Sequence, residues 1–200
     1  PSSLNPQQLT NLVEAVRAGV PTAIFEDPMP AVYQGIPATG EPKQAQNNPM
    51  MGGGAPPEPK GDMQALWKVL GLSIPMQSSM SGINPDIVWQ QYNPHPKLEY
   101  LTNANDEWLF ILQGNQESED YLSSKSPITA GLRELMFLYS GAVEKEDNRD
   151  DLIITNLATT RENSGRIGFT QLQNQMRTGN PSTAQLQVLQ GPPTGPQTVA

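Results

Sequence analysis

Two short stretches carry side chains able to do chemistry. Glu26 and Asp27 stand side by side ahead of Pro28, and Tyr92, Asn93 and His95 fall in the run Tyr92-Asn93-Pro94-His95-Pro96. Paired carboxylates could serve as acid and base or hold a cation. Neighbours at the end of a strand point to opposite faces, however, so both reach one atom only if the strand breaks there, as Pro28 encourages. Asp-Pro also starts turns, which is a sufficient structural reason for the pair. His95 is the only histidine of the chain. An imidazole works as a general base beside a nucleophile and an orienting acid; the structural alternative is a histidine packed on proline rings or exposed on a turn. Ser78, Ser79 and Ser81 are weak nucleophile candidates, because no G-x-S-x-G elbow surrounds them.

Other chemistries fail on residue type or spacing. The chain has no cysteine, which excludes disulfides, thiolate metal sites and cysteine nucleophiles. The acidic run from Glu144 to Asp151 suggests calcium, but a loop begun at Asp147 puts Arg149 at its third position and Leu152 where glycine must turn. A solvated loop accounts for it. Gly52-Gly53-Gly54 has neither a preceding strand nor the lysine-serine ending of a P-loop. No metal and no cofactor is expected.

The elements that would position these residues can be read from periodicity and caps. Asn5 is suited to cap a helix, with Pro6 at its first position, Gln8 closing a capping box, and Leu9, Leu12, Val13 and Val16 along one face before a left-handed stop at Gly19. A buried strand over Thr22 to Phe25 is expected next, leading into Glu26 and Asp27. Asp62 caps a second short helix carrying Leu66, Trp67 and Leu70, closed by Gly71. Strand character recurs at Asp86 to Gln90, Glu107 to Leu112, Leu135 to Val143 and Leu152 to Leu157, with a turn or short helix at Ser126-Pro127-Ile128-Thr129. Helical spacing returns from Phe169 to Met176 and again after Asn180-Pro181, through Leu186 and Leu189. Gly191 to Pro196 breaks the chain ahead of a last strand at Gln197 to Ala200. There is no internal repeat. Alternating strands and helices favour an α/β sheet.

Two hundred residues suffice for one domain burying roughly 70% of its unfolded surface. Within residues 1–200, positions 36–61 form an insertion holding six prolines and five glycines, too dense in breakers for regular structure. A mobile surface loop is the expectation there, with a docking segment or lid as the functional alternative. Acids outnumber bases 20 to 12, for a net charge of -8, so a nucleic-acid footprint or an anionic membrane surface is disfavoured. No apolar run reaches the roughly 18 residues of a membrane span. Because the chain starts at Pro1, a longer parent protein carrying any anchor is expected.

The phrases VRAGVPTAIFEDPMP, VWQQYNPHP, SPITAGLRELMFLYSGAV and MRTGNP with GPPTGP, together with the Pro/Gly insertion, resemble the auxiliary component of bacterial ABC transporters of the gliding-motility type. The resemblance covers most of the chain. It implies a flavodoxin-like or glutamine-amidotransferase-like layered α/β sheet, incomplete on its N-terminal side because a strand should precede the first helix. It also implies a membrane-anchored subunit whose soluble part faces the periplasm and works with a permease and an ATPase. Hydrolysing glutamine through a thioester needs a cysteine; none is present, so the implied role is non-catalytic binding or coupling.

Ligands of open α/β sheets sit beyond the carboxyl ends of parallel strands. Glu26, Asp27, Tyr92, Asn93 and His95 would then share one edge, suited to a small polar ligand, a sugar or a basic partner segment. Two rival readings remain. One is a glycan-binding domain stacking sugars on Trp67, Trp89, Trp108, Tyr92 or Tyr100; the other is a hydrolase built on His95 and Asp27.

Overall fold

The structure is a computed structural model, and it describes residues 4–30, 38–40, 59–79, 82–98, 105–114, 120–146, 148–177 and 183–200. Helix α1 (Pro6–Arg17) starts as its sequence requires. Asn5 Oδ1 accepts from the Gln8 amide at 2.9 Å, and Gln8 Oε1 accepts from the Asn5 amide at 3.0 Å. It ends on Gly19 at φ 80°, with the Gly19 amide bonded to the Val16 carbonyl and the Val20 amide to that of Ala15, the Schellman pattern. Helix α2 (Met63–Leu70) is capped by Asp62 and closed by Gly71 at φ 66°. The two helices pack Leu9 and Val13 against Met63, Leu66 and Trp67, with Ile24 and the segment Leu70 to Met76 around them.

Among the described residues there are eight short strands: β1 (Leu72–Ser73), β2 (Met76–Ser79), β3 (Gly82–Pro85), β4 (Ile87–Gln90), β5 (Trp108–Leu112), β6 (Glu134–Leu138), β7 (Glu144–Lys145) and β8 (Ser164–Ile167). They pair β1 with β7, β2 with β3, β4 with β8 and β5 with β6, every pair antiparallel. Single bridges and loop hydrogen bonds join several of these pieces. Leu122 bonds to Leu112 and bridges Ala158, Thr159 bridges Thr198, and the Thr198 carbonyl accepts from Val143, which continues from β6. These links close on themselves around Leu109, Ile111, Leu122, Ala142, Ala158 and Val199.

Strand β4 separates two cores. Val88 joins the closed cluster, while Ile87 and Trp89 face the opposite way, as the two-residue period of a strand demands. There they meet Tyr139 and Ile167, together with Phe169 and Leu172 of helix α3 (Phe169–Arg177) and Leu186 of helix α4 (Thr183–Gln190). Trp89 lies opposite Gly165, where an added Cβ would stand 2.8 Å from the Trp89 ring. Gly165→Ala should therefore destabilise the protein by about 1–3 kcal/mol through overpacking. Denaturant melts check this, and an unchanged midpoint would refute it.

The chain is mixed α/β, with four α-helices and small antiparallel sheets among the described residues. Several expected elements differ from the sequence reading. Thr22 to Phe25 is irregular, because it has no ladder partner among the described residues and only Ile24 meets a core, Phe25 being 86% exposed. Leu152 to Leu157 is also irregular, with Ile153 99% exposed; pairing begins only at Ala158. The run from Leu135 stops at Leu138, since Tyr139 adopts φ 53° and turns the chain before Gly141 bridges Ile87. Ser126 to Thr129 forms a hydrogen-bonded turn, and the C-terminal segment contributes one bridge instead of a strand.

Most of the insertion lies outside the described residues. Its flanks are near each other: Ala38 and Thr39 are buried, and Lys60 Nζ donates to the Ala38 carbonyl at 3.4 Å.

Candidate functional site

Glu26 and Asp27 diverge. Glu26 Oε2 accepts from Trp67 Nε1 at 3.0 Å, tying the irregular segment to α2, while its Oε1 is buried without a partner. Asp27 Oδ1 accepts from the Met29 amide at 3.0 Å, spanning Pro28, and the Asp27 carbonyl accepts from Thr39 Oγ1 at 3.2 Å. Burial pushes the Asp27 carboxyl up, against the Met29 bond, which lowers it. Both acids thus have structural partners, and the parallel-strand edge expected to carry them is absent among the described residues, because the segment before Glu26 is not a strand.

Tyr92, Asn93 and His95 fold into a compact turn after β4. Asn93 Oδ1 accepts from the His95 amide at 2.8 Å, the local bond that lets asparagine start a turn. The His95 ring lies edge-on to Phe110, with centroids 5.5 Å apart, and its Nε2 sits 2.9 and 3.1 Å from the two oxygens of Glu134. The acid that orients His95 is therefore Glu134 of β6. Among the described residues no hydroxyl is bonded to the imidazole, so a nucleophile–base pair is not assembled there. The Tyr92 ring carries the Arg161 guanidinium 3.9 Å from its centroid, and the same guanidinium lies 4.6 Å from the centroid of Tyr121. Gln90, fully buried, fixes this corner by donating to the Phe110 carbonyl and accepting from the Arg161 amide.

Tyr92 and Asn93 line one side of a cavity of about 50 Å³. Asn105, Asp106, Trp108 and Phe110, at the head of β5, line the other. Beside it lies a buried polar group that the sequence reading did not single out. Glu107 is completely buried; its Oε1 accepts from Gln190 Nε2 at 3.1 Å, and its Oε2 has no partner. Burial pushes the Glu107 carboxyl up, Gln190 pulls it back in part, and the neighbouring Asp106 charge adds to the rise. Asp106 is raised by burial too, with a hydrogen bond from Gln190 opposing the rise and one oxygen unpartnered. Trp108 Nε1 and Gln190 Oε1 are likewise buried and unpaired. Such a concentration of unmade hydrogen bonds is unusual in a native interior.

The tryptophans divide accordingly. Trp67 and Trp89 are core residues, Trp108 packs against the Trp89 core and also borders the cavity, and Tyr92 borders the cavity; Tyr100 lies outside the described residues. The acidic run splits into β7, an Arg166–Glu144 ion pair at 2.6 Å and an Arg149–Asp151 pair at 2.8 Å. No protein-family model, curated protein or solved structure matches the chain.

Proposed function

We propose that this chain is a non-catalytic, periplasm-facing binding domain of an ABC transporter auxiliary component, recognising a small polar ligand or a partner segment and acting beside a permease and an ATPase. The observation that supports binding is the cavity behind Tyr92 and Asn93, lined on its far side by Asn105, Asp106, Trp108 and Phe110. The transporter assignment rests on the sequence phrases that resemble the gliding-motility type. The flavodoxin-like or amidotransferase-like layering belongs to the same proposal, and requires parallel strand neighbours beyond the four antiparallel ladders.

A non-catalytic role is favoured by chemistry. Glutamine hydrolysis through a thioester needs a thiol that the chain lacks, and among the described residues no hydroxyl is bonded to His95 to serve as a nucleophile. The purified protein should release neither ammonia from glutamine nor phosphate from ATP above a buffer blank. Turnover that survives repurification and vanishes in His95→Ala would overturn the reading.

A glycan-sensing domain is the second reading. Only Tyr92 and Trp108 of its described stacking residues border the cavity, which is far smaller than the roughly 150 Å³ that accommodates a single benzene ring.

A further inference from the structure

We infer that the cavity between the Tyr92–Asn93 turn and the head of β5 receives a primary ammonium group, carried by a small amine or by a lysine side chain. The inference rests on the binding-domain reading above and names the chemistry of its ligand.

Charge, size and lining agree on that chemistry. Three lining residues, Tyr92, Trp108 and Phe110, are aromatic, and aromatic rings attract cations through their quadrupole. Asp106 supplies the counter-charge, and no cationic side chain lines the cavity; Arg161 stacks on Tyr92 but is not part of the lining. An ammonium brings three donors and no acceptor. Among the lining residues Asp106, Asn93 and Asn105 carry acceptor oxygens; Asn93 Oδ1 already accepts from the His95 amide at 2.8 Å, and the Asn105 amide nitrogen is bonded to Tyr139 Oη at 3.2 Å. A volume of about 50 Å³ admits a methylene-ammonium end and excludes a pyranose ring. An anion would meet Asp106 unfavourably. A hard metal ion would lack ligands, since no three His, Cys, Asp or Glu side chains converge among the described residues. Burial pushes the Asp106 carboxyl up and a hydrogen bond from Gln190 pulls it back, so a cation beside it would favour the charged form.

The test is a titration of the 200-residue chain with n-butylammonium chloride, followed by the Trp108 indole N–H resonance, with Trp108→Phe giving its assignment. A saturable shift is expected, absent with n-butanol and with sodium chloride. Asp106→Asn should weaken it about tenfold or more, the loss of a charge-assisted bond, while the rest of the spectrum stays folded. Tyr92→Leu gives an independent variant, expected to weaken binding through loss of the ring. N-acetyl-lysine methylamide separates the two sources: tighter binding than butylammonium indicates a lysine-bearing partner, and weaker or equal binding a free amine. No saturable shift with either amine, or an equal response to butanol, would overturn the inference. Loss of amine binding in a domain that still assembles with its transporter would remove the pocket chemistry and leave the binding-domain reading in place.

Discussion

Replacing Trp89 by alanine should bring the protein close to unfolding. The indole is completely buried between β8 and the helices α3 and α4, packed against Ile87, Ile167, Phe169 and Leu172, and it fills the space left open at Gly165. Truncating so large a core side chain costs about 3–5 kcal/mol, because transfer energy is lost and the surroundings collapse only partly. That is a substantial share of the ~5–15 kcal/mol that holds a native domain together. Thermal melts should fall by roughly 10 °C. Phe25→Ser, at a residue 86% exposed, is the control and should stay within about 0.5 kcal/mol of the parent. A Trp89→Ala protein with the parent's melting temperature would mean that the β4–β8 core is misplaced.

Glu107→Gln should stabilise the protein, increasingly so as pH rises. Burial holds the Glu107 carboxyl above its ordinary value of 4.5, so the folded state keeps a proton that the unfolded state releases. A raised carboxyl favours folding below the unfolded pKa, and that advantage is lost as pH climbs through the folded one. Glutamine never ionises, so the variant escapes this loss. It can also keep the bond from Gln190 and offer a new donor to the unpaired oxygens of Gln190 or Asp106, worth about 1 kcal/mol if one bond forms. Unfolding curves at several pH values check this: the gain over the parent should be small near pH 4.5 and largest at pH 8. A gain that shrinks as pH rises would show that Glu107 is ionised and satisfied in the fold. Asp27, Asp86 and Asp106, all raised by burial, push the parent's stability in the same direction.

What the sequence disclosed follows the range of the interactions. Helices α1 and α2 were legible to the capping residue, because Asn5, Gln8 and Gly19, or Asp62 and Gly71, act within one or two turns of the chain. Strands β4 and β5 announced themselves as continuous apolar runs. Strand β8, reading Ser-Gly-Arg-Ile, did not. Its burial comes from Gly165 making room for Trp89 and from Ser164 bonding to Thr160 and to the Arg161 and Gly195 carbonyls. Thr22 to Phe25 misled in the opposite direction, since β propensity describes fit to a sheet and no neighbouring strand is present among the described residues to supply one.

The site divides in the same way. The prolines around the lone histidine pointed to the Tyr92–His95 segment, but its partners were hidden by distance along the chain. Glu134 is 39 residues from His95, and Gln190 is 83 from Glu107. One signal was available. Asp106 and Glu107 stand directly before the apolar run of β5, so at least one acid had to enter the interior with it.

The proposed role as the binding part of a transporter assembly is open to test by co-isolation. The parent protein, tagged and expressed from its own locus, would be extracted from membranes in mild detergent and its partners identified by mass spectrometry. A permease and an ATPase, encoded by adjoining genes, should be recovered in amounts comparable to the tagged chain. Recovery of the tagged protein without either subunit, from membranes in which both are detected, would contradict it.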